Sequence, residues 1–173
     1  MFWKCFWYLF WLSNLGFIIG RILPKHWFVW TLYPYKSYKF EDDGHFYDKF
    51  KIRKWQNAVP DMSKVFKKIM PAKALRTKPT KESLTLMIQE TCIAEFVHRT
   101  VGILGFYCLF IWGGTGGVIL SLIYFLLGNL PFIIIQRYNR PRLVRLLGRV
   151  TKETKCAVAA EAEENHACVN IVS

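Results

Sequence analysis

The sequence predicts an all-α integral membrane protein with about three transmembrane helices: an N-terminal anchor, a cytoplasmic interfacial segment, and a C-terminal helical hairpin. Three observations carry that class. Hydrophobic residues make up 53% and aromatics 17% of the 173-residue chain, more than a soluble domain of this size usually holds. The run 100–135 has no Asp, Glu, Lys, Arg or His and is interrupted near its middle by Gly113-Gly114-Thr115-Gly116-Gly117. A second uncharged run, 5–20, lies between Lys4 and Arg21.

Charge narrows the partners. The net charge of +12, from 24 basic and 12 acidic residues, suits either nucleic acid or an anionic membrane face. With two long apolar runs and no nucleic-acid motif, the membrane reading is favoured and no nucleic-acid partner is expected. The five cysteines are odd in number and lack CxxC spacing, so neither a zinc site nor a disulfide framework is expected.

In chain order, residues 1–24 read as an uncleaved anchor, because no small-x-small site follows the apolar run before Arg21-Ile22-Leu23-Pro24. Trp27 and Trp30 stand where an interfacial aromatic belt would. Residues 25–99 form the interfacial segment. Within it Met62, Val65, Phe66, Ile69 and Met70 follow helical spacing while Lys64, Lys67 and Lys68 face away, which suits a helix lying in the interface plane or one packed on a soluble core. Pro71 ends that pattern, a basic loop follows, and Thr80 offers the N-cap of a helix running into the membrane. Residues 100–149 form the hairpin and a basic motif, giving spans near 5–22, 100–113 and 117–135. Each hairpin leg is short against the roughly 20 residues a span needs, so polar residues at its outer end are drawn toward the interface. The tail, 150–173, is small and acidic with no apolar period, and disorder is expected there. One basic residue precedes the first span, 16 lie between Arg21 and Arg99, and seven follow Ile135. By the positive-inside rule this sets the middle segment and C-terminus in the cytoplasm of a multi-pass cell-membrane protein.

The candidate chemistry lies where the hairpin's ends meet. Leu84, Ile88, Thr91, Glu95, His98 and Gly102 are spaced 4, 3, 4, 3, 4 and share one helix seam. A carboxylate and an imidazole thus occupy positions where apolar side chains belong, and such groups are either paired or functional. His98 is the candidate general base, Glu95 the carboxylate that orients it, and Glu90 on the adjoining stripe a further candidate. The same spacing also describes a Glu95–His98 or Glu95–Arg99 pair that only caps the membrane boundary. No H-x-x-x-x-D, G-x-S-x-G or H-E-x-x-H pattern is present. On the second leg, Asn129-Leu130-Pro131 predicts a kink facing the first leg. Arg137 and Arg140 suit phosphate recognition, or equally a positive-inside anchor.

These residues resemble a known family. Glu90-Thr91-Cys92, Ala94-Glu95, His98, Asn129-Leu130-Pro131 and Gln136-Arg137-Tyr138-Asn139-Arg140-Pro141-Arg142-Leu143 are similar to the glycosyl-4,4'-diaponeurosporenoate acyltransferases. So are Lys36-Ser37, Phe40-Glu41, Gly44 and Arg53-Lys54-Trp55, and the likeness runs from about residue 22 to 149. The resemblance implies an integral membrane enzyme that esterifies the sugar of a glycosylated C30 carotenoid acid with a fatty acyl chain, the last step of staphyloxanthin formation. On that basis Asn129, Gln136, Arg137, Asn139, Arg140, Lys54 and Trp55 are the candidate substrate-binding residues.

Two functions are therefore expected to compete. One is acyl transfer from acyl-CoA or acyl-carrier protein, as co-substrate, to a hydroxyl of a glycolipid or carotenoid glycoside, with no cofactor or metal. The other is a non-catalytic adaptor that binds anionic lipid or a partner membrane enzyme through its basic segments.

Overall fold

The structure, a computed structural model, describes residues 1–55 and 79–172. The expected helix at 62–70 and nearly all of the basic loop after it lie outside those residues. Among the described residues all regular structure is helical: α1 (Phe2–Ile22), a 3₁₀ turn (Lys25–Trp27), a run of 3₁₀ turns (Lys39–Phe50), α2 (Ile52–Trp55), α3 (Lys81–Gly105), α4 (Cys108–Ile111), α5 (Thr115–Ile123), a wide π turn (Tyr124–Asn129) and α6 (Leu130–Val172). Three stretches, Phe2–Ile22, Lys81–Ile111 and Thr115–Cys156, are helices long and apolar enough to cross a membrane. The fold class is the expected one.

On α1 the sequence puts aromatics nearly all round, and only a narrow strip is used inside the protein. Cys5 and Leu9 pack against Cys108, while Trp3 and Trp11 are 67% and 65% exposed. Such a surface suits acyl chains rather than water.

α3 begins where Thr80 Oγ1 accepts from the Ser83 N–H at 3.2 Å and the Thr80 N–H donates to Ser83 Oγ at 3.1 Å, a reciprocal cap that satisfies orphan donors of the first turn. It runs 25 residues, so the first hairpin leg is much longer than the uncharged run alone indicated. The chain turns between α4 and α5 at Gly114, whose φ of +82° lies in the left-handed region that glycine adopts without a Cβ clash.

The kink expected at Pro131 takes another form. The helix widens one turn earlier, and the Leu130 N–H reaches the Phe125 carbonyl five residues back. Pro131 has no N–H to give, so the ladder around it must be rearranged, and the π turn absorbs that loss. Opposite this turn sits Gly102, where a Cβ would come 2.9 Å from the Phe125 ring and 3.3 Å from Asn129 Cβ. Its bare Cα lets the legs approach closely. α3 and α6 form the principal pair of the bundle, with the 39–50 turns laid on α6.

α6 continues to Val172, through the residues for which disorder was expected. No glycine or proline follows Gly148, and alanine, glutamate and lysine favour helix whether or not a face is buried.

Candidate functional site

The seam read from the sequence faces inward. Leu84, Ile88 and Glu95 are fully buried, Thr91 is 5% exposed, and His98 is half-buried. What the seam meets on α6 is two arginines. Arg137 Nη1 donates to Glu95 Oε1 at 2.8 Å and Arg140 Nη2 to Glu95 Oε2 at 2.5 Å, while Arg99 Nη2 lies 2.5 Å from Oε1. A buried carboxylate is tolerable only with such partners, since leaving either sign unpaired costs several kcal/mol.

Each guanidinium is also fastened to the 34–41 segment. Arg137 donates from Nε and Nη2 to both oxygens of Glu41, the latter at 2.6 Å, and to the carbonyls of Pro34 at 2.9 Å and Lys36 at 3.1 Å. Arg140 donates to the Tyr35 carbonyl at 2.8 Å, to Thr91 Oγ1 at 2.9 Å and to the Thr91 carbonyl at 3.0 Å. Three successive carbonyls, 34 to 36, are thereby held by two side chains. The rings of Tyr38 and Tyr35 lie 4.4 and 5.6 Å from the same guanidinium carbons, adding cation–π attraction.

The segment's own acid is tuned to match. Burial pushes the Glu41 carboxyl up, but hydrogen bonds from Arg137, Tyr47 and the Tyr38 N–H, with the Arg137 charge, outweigh it and hold the group below its ordinary value. Tyr47 moves the other way, raised by burial and by its hydrogen bond to Glu41, so it stays a phenol that donates.

Two expected roles change. Glu95 does not orient His98: three guanidinia take its oxygens, because charged donors outcompete a neutral imidazole for a carboxylate. Arg137 and Arg140 do not present free forks for phosphate, since all five N–H groups of Arg137 and four of Arg140 are engaged by protein acceptors.

His98 instead faces the π turn. Its Nδ1 lies 3.1 Å from Asn129 Oδ1, and its ring stacks parallel on Phe132 at 4.5 Å with 7° between planes. The Asn129 amide in turn donates from Nδ2 to the Tyr124 carbonyl at 3.0 Å. His98 Nε2 has no hydrogen-bond partner among the described residues.

The remaining candidates scatter. Gln136 and Asn139 are half-buried and continue the Phe132 stripe of α6 at helical spacing. Glu90 pairs with Lys25 at 3.1 Å, which ties α3 to the turn after α1. Lys54 is exposed, and Trp55 donates to the Phe50 carbonyl at 3.0 Å and packs on the Tyr47–Ile52–Tyr138 cluster. Neither Lys54 nor Trp55 is among the partners of His98 or Glu95. Residues that sequence reasoning did not single out for the site are Glu41, Tyr47 and Phe132. Glu41 had one signal, its place in the family-like string, but nothing in its spacing connects it to Arg137.

A model of the glycosyl-4,4'-diaponeurosporenoate acyltransferase family matches residues 24–149. Relatives of that name from Staphylococcus aureus strains N315, USA300 and NCTC 8325 are each 35% identical over 130 residues, which is 75% of this chain and 77% of the relative. No solved structure matches. The matched stretch holds the whole Glu41–Glu95–Arg137–Arg140 network together with His98 and Asn129, and the chain belongs to the glycosyl-4,4'-diaponeurosporenoate acyltransferase family.

Proposed function

We propose that this chain transfers a fatty acyl group from an acyl thioester, on coenzyme A or acyl-carrier protein, to a sugar hydroxyl of a glycolipid or carotenoid glycoside at the cytoplasmic membrane face. The observation that carries the reading is His98, an imidazole held at Nδ1 by Asn129 and on one face by Phe132, with Nε2 left to act.

The step needs little else from the chain. Nε2 accepts the proton of the acceptor hydroxyl as its oxygen attacks the thioester carbonyl. The tetrahedral adduct then collapses, the C–S bond breaks, and the imidazolium returns the proton to the departing thiolate. Positioned base catalysis of this kind is worth roughly 10²–10⁴ in rate. Gln136 and Asn139, whose side chains make no hydrogen bond within the described residues, supply amide donors and acceptors of the kind that bind sugar hydroxyls. The arginine–glutamate network keeps the 34–41 segment and both helices in register beneath that site.

The cytoplasmic assignment rests on charge. Sixteen basic residues between Arg21 and Arg99 and seven after Ile135 set both segments on that side, with the N-terminus and the 113–117 turn outside. Profiling the lipids and pigments of cells that make a glycosylated carotenoid acid, with and without this chain, tests the function. A new fatty acyl ester of the glycoside is expected, and an unchanged profile with the chain inserted in the membrane overturns the reading.

A further inference from the structure

Sequence reasoning places Asn129 among the substrate-binding residues, but its amide is occupied within the protein. Nδ2 donates to the Tyr124 carbonyl, which fixes the amide's orientation and leaves Oδ1 as the atom facing His98 at 3.1 Å. Oδ1 carries no hydrogen, so the proton between them belongs to Nδ1. A neutral imidazole has one N–H, and its lone pair is then on Nε2.

The surroundings hold this arrangement. Asn129 is 3% exposed and its Cβ lies where Gly102 leaves room for it. The carbonyl it grips stands at the first residue of the π turn, where the helical ladder is re-paired and a side-chain donor can add a bond. Phe132, stacked on the ring, opposes a flip that would exchange the two nitrogens.

We infer that Asn129 is a positioning residue that holds His98 in the Nδ1–H tautomer, so that Nε2 is the nitrogen presented to the acceptor hydroxyl. The inference rests on His98 as the base only for its consequence in turnover; the tautomer itself is a property of the resting protein. It also gives the π turn a use, since a regular helix would point residue 129 elsewhere relative to the first leg.

The test uses the full chain in nanodiscs with ¹⁵N-histidine, the His98 signals being identified by their loss in His98→Ala. Nitrogen shifts distinguish a protonated from an unprotonated ring nitrogen, and the expected result above the histidine titration is a protonated Nδ1 and a bare Nε2. A protonated Nε2 overturns the inference whatever the activity data show. Two variants then separate positioning from a merely structural bond. Asn129→Asp keeps an acceptor for Nδ1–H but loses the donor to the Tyr124 carbonyl, whereas Asn129→Ala loses both. Positioning predicts that Asn129→Ala mixes the tautomers and lowers kcat about tenfold, with acceptor KM little changed, and that Asn129→Asp restores the Nδ1–H form and most of kcat. A capping role alone predicts that Asn129→Asp is no better than Asn129→Ala, and that result also overturns the inference. If His98→Ala keeps its turnover while the tautomer stands, it is the catalytic reading of His98 that fails, and the two failures remain distinct.

Discussion

Replacing Glu95 by Gln keeps the volume of the side chain and one carbonyl acceptor, so it opens no cavity, and what it removes is charge. In the folded protein that charge is fully buried and faces Arg99, Arg137 and Arg140. Arg137 retains Glu41, but Arg140 has no second carboxylate among the described residues. Removing one partner from a buried pair costs about 3–5 kcal/mol, because the other charge is left in a medium that solvates it poorly. For a chain of this length about 1 kcal/mol moves a thermal midpoint by about 2–4 °C, so the expected fall is about 6–20 °C. Intrinsic tryptophan fluorescence of the protein in nanodiscs reads it, with Glu90→Gln as the control. The Lys25–Glu90 pair is partly solvated, at 42% and 23% side-chain exposure, and such pairs contribute about 1 kcal/mol or less. A Glu95→Gln protein that melts within about 2 °C of the parent, or no lower than Glu90→Gln, refutes the claim that this network holds the helices together.

Arg137→Lys retains the charge but replaces five planar donors with one ammonium, so the Pro34 and Lys36 carbonyls lose their grip; the midpoint should fall by at least about 4 °C and protease should cut within 33–50 sooner, and an unchanged cleavage pattern counts against the staple. Glu41 carries the pH dependence. Its folded value lies below the ordinary 4.5, so its stabilisation is fully present above that value and is lost as pH falls through the depressed one; the midpoint should drop below pH 4.5 in the parent and much less in Glu41→Gln, and equal slopes would show the acid loss comes from elsewhere. Topology is checked by an impermeant thiol reagent added outside cells, in a background without native cysteines. A cysteine at Thr115 should label and one at Lys54 should not, and the reverse pattern moves the site to the other membrane face.

The parts of this fold that were legible in the sequence are those governed by local pattern. Hydropathy marks the hairpin, the glycine string marks its turn, Thr80 marks the start of α3, and 3.6-residue spacing places Thr91, Glu95, His98 and Gly102 on the buried side. The unread parts depend on contacts between distant residues or on competition for a partner. Glu41 and Arg137 stand 96 residues apart, with no periodicity to join them. Glu95 lies one turn from His98, and spacing alone cannot tell that three guanidinia will claim it first. Pro131 announces a disturbed ladder, yet whether helix bends or widens is settled by the packing of Phe125 and Asn129 on Gly102. In the tail, low hydrophobicity argues against a buried face but leaves helix open, because alanine and glutamate favour helix without one.

The proposed function stands on His98 as the base for acyl transfer. Its most direct test is turnover by purified His98→Ala protein in vesicles, supplied with an acyl thioester and a glycosylated carotenoid acid, beside the parent at equal insertion and equal thermal midpoint. A loss of about 10²–10⁴ in kcat is expected with the arginine–glutamate network intact; turnover close to that of the parent would show that His98 is not the base.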